Sequence, residues 1–170
     1  MDIYAKIYFT SYDSPIGRLF IAATDKGLLR ISPAKGSELS FIMSLGIKHF
    51  DVVHAGKPFA SIKKQLDLYF KGRPVLFRFK ADLGHGTAFQ KKVWEKLSEI
   101  LPGQMVTYGM LAKEIGRPKA FRAVGQAVGA NPLPIIIPCH RVIASNGSLG
   151  GFAWGVNIKR KLLSIEGIKS

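Results

Sequence analysis

The sequence predicts an α+β protein: a small antiparallel sheet with helices over residues 1–82, then a mainly helical region over residues 83–170 with a winged-helix-like helix-turn-helix. Three observations predict it. Short runs of β-branched and aromatic residues, punctuated by Pro, Gly and Asp, open the chain. From Pro58 onward apolar residues recur at helical spacing. Two later helical stretches are interrupted by Gly116-Arg117-Pro118, the pattern of a helix, a short turn and a helix.

In chain order, Ile3 to Tyr12 reads as a first strand, turned by Pro15-Ile-Gly17 into a second over Arg18 to Thr24. Asp25-Lys-Gly27 turns that strand into a third, Leu28 to Ile31, which makes an antiparallel meander. Ser37 is placed to cap a short helix reaching Leu45, and Asp51 to His54 is a further short strand. Phe59, Ile62, Leu66, Tyr69 and Phe70 form the apolar stripe of a helix stopped by Gly72. Val75 to Phe79 reads as a strand or as linker. Nothing in this half converges on chemistry: His49 and His54 have no third ligand nearby, and Tyr69 and Phe70 read as core. A mainly structural role is expected for residues 1–82.

The glycines of Ala81 to Gly86 mark the expected boundary. Thr87-x-x-Gln90 has capping-box spacing, and Phe89, Val93, Trp94, Leu97 and Ile100 follow as an amphipathic helix ended by Pro102-Gly103. Met105-Val106 is extended, and Thr107 caps a helix to Ile115. After the break, Lys119 to Ala130 forms a helix of unusual smoothness: Ala120, Ala123, Gly125, Ala127, Gly129 and Ala130, with Arg122 as its main long side chain. Such a surface suits close, sequence-independent approach to a minor groove, but small residues equally permit packing on a neighbouring helix. Beyond Val142-Ile143 come a Ser145 to Ser148 turn and a glycine-rich loop, Leu149 to Gly155. A last helix capped by Asn157 then turns Ile158, Leu162 and Ile165 inward. Glu166, just before a Gly167 cap, opposes the helix dipole there, which suggests a specific internal partner rather than water.

Charge narrows the partners. The chain carries +14: 13 basic against 7 acidic residues through Asp82, and 12 against 4 beyond it. A polyanion is implied, nucleic acid before an anionic membrane, although basic surfaces also serve solubility. No apolar run approaches the ~20 residues of a membrane span. Met1-Asp2-Ile3-Tyr4 lacks the basic and apolar regions of a secretory signal. One cysteine permits no intramolecular disulfide and no cysteine-rich zinc site, so a reducing, cytoplasmic setting is expected, with no metal and no cofactor.

That cysteine ends the segment Asn131-Pro-Leu-Pro-Ile-Ile-Ile-Pro-Cys139-His140-Arg141-Val142. Ile135 to Ile137 read as buried and extended, and Pro132, Pro134 and Pro138 stiffen them. Two readings of Cys139 stand. It is a buried structural thiol, or it is a nucleophile whose pKa falls beside an imidazole and a guanidinium.

Asn131-Pro and Ile-Pro-Cys139-His140-Arg141-Val142, with Arg122-Ala-Val-Gly125 upstream, resemble the O6-alkylguanine-DNA alkyltransferases, the methylated-DNA–protein-cysteine methyltransferases. The Pro-Cys-His-Arg box is highly specific to that family, and the match runs from about Thr87 to Gly167. The first eighty or so residues fit the family's N-terminal domain only in length and texture. The resemblance implies direct, irreversible transfer of an alkyl group from O6 of guanine in DNA to Cys139, with O4 of thymine left open as a second substrate. It implies a relay of Cys139, a water, His140 and Glu166, with Asn131 tying the turn before the cysteine. It implies that Tyr108 protonates the departing guanine near N3. Arg122 would fill the space left by the flipped nucleotide, with Ala123 and Gly125 also at the DNA. Pro134, Val142, Phe152 and Ala153 would shape the base pocket. Many members carry tyrosine then serine where this chain has Phe152-Ala153, and small residues where it has Trp154 and Phe121. The expected partner is double-stranded DNA containing O6-alkylguanine, the expected state a monomer. No second cysteine exists to resolve the thioether, so each molecule should act once, and added volume in a tight pocket should destabilise the alkylated form.

Two rivals stand beside this reading: a non-catalytic damage sensor or helix-turn-helix regulator, and a cysteine hydrolase using Cys139 and His140. Relatives that only sense lesions lack the cysteine, and the chain shows no strong oxyanion signal for a hydrolase.

Overall fold

A computed structural model describes residues 5–169. The first strand, β1 (Ala5–Ser14), pairs antiparallel with β2 (Gly17–Thr24) across the two-residue turn Pro15-Ile16, in the register Ser14 to Gly17 and Asp13 to Arg18. Ile3 and Tyr4, read as part of β1, lie outside the described residues. A second hairpin brings β3 (Gly27–Pro33) onto β2, with a register shift between Ala22 and Ala23. Ser37 caps α1 (Glu38–Met43) by accepting from the Ser40 N–H. The chain then returns as β4 (Phe50–His54), which pairs with β1 in parallel, so the strand order is β3-β2-β1-β4. The sheet is therefore mixed and not wholly antiparallel. A parallel neighbour needs a crossover, and α1 with its flanking loops provides it.

A single 3₁₀ turn over Lys57–Phe59 leads into α2 (Ala60–Phe70), which stops at Gly72 as the sequence indicates. Val75 to Phe79 form no strand. The Gln65 amide holds this linker instead, accepting from the Arg78 N–H and donating to the Arg78 carbonyl. Alternate faces of β2 are both buried. Phe20 and Ala22 pack with Phe9, Phe41 and Ile42 under α1, while Leu19 and Ile21 face α2 and the second half of the chain.

The second half begins with α3 (Ala88–Ser98), whose Thr87–Gln90 capping box is fully formed. Next come β5 (Val106–Thr107), α4 (Tyr108–Glu114) and α5 (Phe121–Gly129), then β6 (Val142–Ile143), parallel to β5, and α6 (Val156–Ile165). The turn after α4 uses Gly116 at φ +74°, with Arg117 N–H reaching back to Ala112 O, the Schellman closure that only glycine adopts without strain. Two boundaries differ from expectation. Lys119 belongs to the turn, so α5 starts at Phe121; and α6 starts after Gly155, leaving Asn157 inside its first turn, where its Oδ1 accepts from Arg160 rather than capping.

One apolar core joins the two halves. Leu19, Ile21 and Leu66 share a cluster with Trp94, Leu111, Val124 and Leu162. The backbone continues this join where Ile31 N–H donates to Pro132 O at the head of the cysteine segment. Among the described residues, no helix is long and apolar enough to cross a membrane.

Candidate active site

The segment between α5 and the cysteine is buried as expected, but it is not an extended rod. Three prolines remove three N–H donors, so no strand ladder is available. The chain instead folds into a tight turn in which Ile137 N–H donates to Leu133 O. Asn131 closes the turn from within: its Nδ2 donates to Ile137 O at 2.8 Å, and its Oδ1 accepts from Leu133 N–H at 3.0 Å. Ile135 takes φ +76°, which is strained for a β-branched residue. Cys139, His140 and Arg141 then form one 3₁₀ turn, so the three side chains fan apart around a buried axis.

Cys139 is 5% exposed. Burial pushes its thiol up to about 11, against the lowering pull of a hydrogen bond from Asn131 and of the Lys159 charge. Of the two readings of the cysteine, the one with a depressed thiol pKa does not describe the resting protein: burial dominates, His140 is itself kept neutral by burial, and the Arg141 charge is taken up by Glu166. Arg141 turns to Glu166, placing Nε 2.8 Å from Oε2 and Nη2 3.0 Å from Oε1, while its Nη1 donates to Ile100 O. His140 sets Nε2 2.6 Å from Glu166 Oε1. Burial lowers the imidazole's pKa and outweighs the upward pull of the carboxylate. Its Nδ1, on the other edge of the ring, is the one buried side-chain nitrogen or oxygen without a hydrogen-bond partner among the described residues.

Glu166 is where the network converges. Its position as C-cap of α6 is fixed by Gly167, at φ +79°, and by Ile168 N–H returning to Leu163 O. Burial opposes its ionisation, but the hydrogen bonds and charges of His140 and Arg141 prevail and hold the carboxyl down at about 2.

Of the other residues singled out, Tyr108 opens α4 half-buried, its phenol pKa raised by burial and then by the Cys139 charge. A Cβ on Gly150 would sit 3.3 Å from the Tyr108 hydroxyl and one on Gly125 3.8 Å from its ring, so both backbones approach Tyr108 closely. Arg122 and Ala123 lie exposed on α5, the guanidinium 5.7 Å from the Phe121 ring centre. Pro134 and Val142 are buried beside the cysteine turn. Phe152 is half-buried against Trp154, and Ala153 is exposed on the glycine-rich loop.

Two residues with a part in this network escaped the sequence reading. Lys159 is 0% exposed, and its Nζ donates to Val142 O at 2.6 Å, to Leu149 O, and to Gly151 O at 3.5 Å, tying β6 to the glycine-rich loop. Burial brings its ammonium down to about 8, with the Cys139 charge pulling the other way. Its signal was present: Lys159, Leu162, Leu163 and Glu166 share one helical stripe, so a lysine there is inward-facing. Tyr69, on α2, is core as read, but it also brings a polar group from the first half into this network. Its hydroxyl donates to Glu166 Oε1 at 3.0 Å and lies 3.3 Å from His140 Nε2.

The arrangement can move a proton. A buried thiol adjoins an imidazole with one free ring nitrogen, and the other nitrogen rests on a carboxylate that favours the imidazolium. Among the described residues, no group of three His, Cys, Asp or Glu is placed to hold a metal ion.

Residues 7–83 match the family model described as 6-O-methylguanine DNA methyltransferase, ribonuclease-like domain, and residues 88–168 match its DNA binding domain. The methylated-DNA–protein-cysteine methyltransferase of Methanosarcina acetivorans is 41% identical over 161 residues, covering 95% of this chain and 99% of that protein. The Haemophilus influenzae protein of the same name is 38% identical over 162 residues, covering 95% and 87%. Among solved structures, Mycobacterium tuberculosis OGT in complex with DNA superposes with a TM-score of 0.80 at 37% identity, covering 94% of this chain and 93% of that one.

Proposed function

Because this chain belongs to the 6-O-methylguanine DNA methyltransferase family, we propose that it repairs DNA by taking the alkyl group from O6 of guanine onto its own Cys139. The observation that carries the assignment of the nucleophile is local. The chain's one cysteine adjoins a fully buried histidine whose Nε2 rests on Glu166 and whose Nδ1 is unpartnered.

With burial holding the thiol up at about 11, little of it is preformed thiolate at neutral pH. The proton therefore leaves as the reaction proceeds, through a bridging water to His140 Nδ1. Glu166 stabilises the imidazolium so formed and fixes its tautomer. The sulfur attacks the methyl carbon in line, the carbon–O6 bond breaks, and its electron pair passes into the purine. Tyr108 gives its phenolic proton to guanine N3 as that anion forms, and the proton taken from the thiol replaces it through solvent. The products are S-methylcysteine and unmodified guanine. Water does not displace a thioether under mild conditions, and no other cysteine is present to do so. One protein molecule thus repairs one base.

The target oxygen lies within the base stack, so the nucleotide must leave it. The small residues of α5, Ala123 and Gly125, allow that helix to lie along the minor groove of double-stranded DNA, and Arg122 at its start fills the vacated space. Pro134, Val142, Phe152 and Ala153 wall the pocket for the flipped base, with backbone N–H groups replacing a hydroxyl at the loop. Residues 83–170 carry these functions, residues 1–82 support them, and the protein acts as a monomer. A single thiol that must remain reduced until used suits the cytoplasm.

Cys139→Ala separates recognition from chemistry. Expected is binding to an O6-methylguanine duplex within about twofold of the unaltered protein, with methyl transfer abolished. Residual transfer by this variant would remove Cys139 as the acceptor, and repeated turnover by the unaltered protein would favour a hydrolytic reading.

A further inference from the structure

The first half of the chain reaches the proton relay through one side chain. Tyr69 sits on the inward face of α2, 2% exposed, with its ring against Phe70, Phe77 and His140. Packing alone would be met by phenylalanine. Its hydroxyl is nevertheless aimed at the point where His140 Nε2 and Glu166 Oε1 meet, 3.3 and 3.0 Å away. The same carboxylate receives Arg141 through both oxygens and the Gly103 N–H at 3.4 Å. The far side of this junction opens on a cavity of about 240 Å³ lined by Tyr69, Arg73, Pro102, Gly103 and Glu166, among others. The relay thus ends at the seam between the two halves and not within the second alone.

We infer that Tyr69 is a positioning residue for methyl transfer, holding Glu166 in its seat and limiting the basicity of His140; this rests on the Cys139–His140–Glu166 reading above. Nε2 carries its proton in both the neutral tautomer that uses Nδ1 as base and in the imidazolium, so an acceptor beside Nε2 hardly discriminates between the two forms. The phenol acts through the carboxylate. By donating to Oε1 it draws off part of the negative charge that would otherwise stabilise the imidazolium. The other charges facing the ring are Arg141 on its own turn, Lys159 on α6 and the Cys139 thiolate when formed; the charge that favours its protonation in the resting state is Glu166. Tyr69 therefore keeps His140 neutral, and so able to accept a proton, to lower pH than Glu166 alone would permit.

The test measures the single-turnover rate of methyl transfer from an O6-methylguanine duplex to the full-length protein, from about pH 5 to about pH 9. The ring of Tyr69→Phe keeps its packing, so the folded state and DNA affinity serve as controls. Expected is an acid limb displaced upward by about one pH unit, with transfer about tenfold slower below the limb and the difference shrinking towards neutrality. Glu166→Gln should move the limb the opposite way and slow transfer throughout. Should Glu166→Gln shift the limb downward while Tyr69→Phe leaves it in place or lowers it, the inference about Tyr69 is wrong and the relay stands. Should Glu166→Gln change neither rate nor limb, the relay itself fails. A ring-carbon NMR titration of His140 in the Cys139→Ala background, with and without Tyr69→Phe, reads the same displacement without chemistry. Its absence there would overturn the inference as well.

Discussion

Glu166 is a carboxylate that burial alone would protonate, and its neighbours reverse that outcome. With its pKa near 2 against an ordinary value of about 4.3, ionised Glu166 contributes stability that is complete above the unfolded value and is lost as pH falls through the folded one. His140 acts in the same direction at higher pH. Its folded pKa is depressed, so protons bind the unfolded chain preferentially below the ordinary histidine value of about 6.5. The protein should therefore lose stability steadily on acidification below about pH 6.5, most steeply between about pH 4 and pH 2. Glu166→Gln leaves the Arg141 guanidinium buried without a counter-charge, and should cost about 3 kcal/mol at neutral pH while removing the steepest part of the acid loss. Urea unfolding midpoints across that range check both statements. Equal acid sensitivity in the two proteins would mean that other groups dominate. Around Glu166 the sequence offered the oddity of an acid at a helix C-terminus and, through the family resemblance, His140 as its partner; Arg141 and Tyr69 were not legible. The partners that explain it lie 25, 26 and 97 residues away in sequence.

At the scale of elements, the turn from Asn131 to Pro138 shows what local patterns convey and where they mislead. Three successive β-branched isoleucines favour extended backbone, but a strand needs a ladder, and the prolines deny it one. The Asn131 side chain supplies two hydrogen bonds in place of that ladder, which lets Ile135 occupy a left-handed conformation. Asn131→Ala would strand Ile137 O and Leu133 N–H in the core and should destabilise the protein by about 2–4 kcal/mol. Because Cys139 N–H is bonded to Ile137 O at 2.8 Å, the thiol should shift as well, and methyl transfer should slow at least about tenfold even where the protein remains folded. Thermal unfolding and single-turnover rates measure these separately; an unfolding loss with unchanged transfer would show that Asn131 holds the turn but not the nucleophile. Elements with a local cause were read correctly from sequence: the Thr87–Gln90 box, the Ser37 and Thr107 caps, and the Gly72 and Gly116 stops all lie within a few residues of the structure they set. The parallel pairing of β4 with β1 was not legible, since no local signal distinguishes a crossover from a hairpin over so short a strand.

For the whole molecule, positive charge is spread over both halves, and the sequence carries +14. DNA association should thus be driven largely by counterion release. Neutralising about four phosphates predicts a loss of about two orders of magnitude in affinity between roughly 50 and 200 mM salt, nearly independent of sequence. Arg122→Ala should weaken binding to lesion duplexes more than to undamaged DNA if, as proposed, it fills the vacated stack; fluorescence anisotropy against salt distinguishes the two effects. A salt slope near zero would contradict the role given to charge. The α+β architecture was legible from turn chemistry, and one short motif singled out Cys139, the proposed nucleophile. The join between the halves, made by Tyr69 on Glu166 and Ile31 on Pro132, was not, because each contact couples residues whose neighbours in sequence give no reason for it.

All of this depends on a covalent event at one atom, and intact-mass and peptide-mass analysis after incubation with an excess of O6-methylguanine duplex observes it directly. Expected is a gain of one methyl group per protein molecule, confined to the peptide containing Cys139, with an equal quantity of guanine restored and no second round. Full occupancy of the DNA by an unmodified protein, or a methyl group found at any other residue, would contradict it.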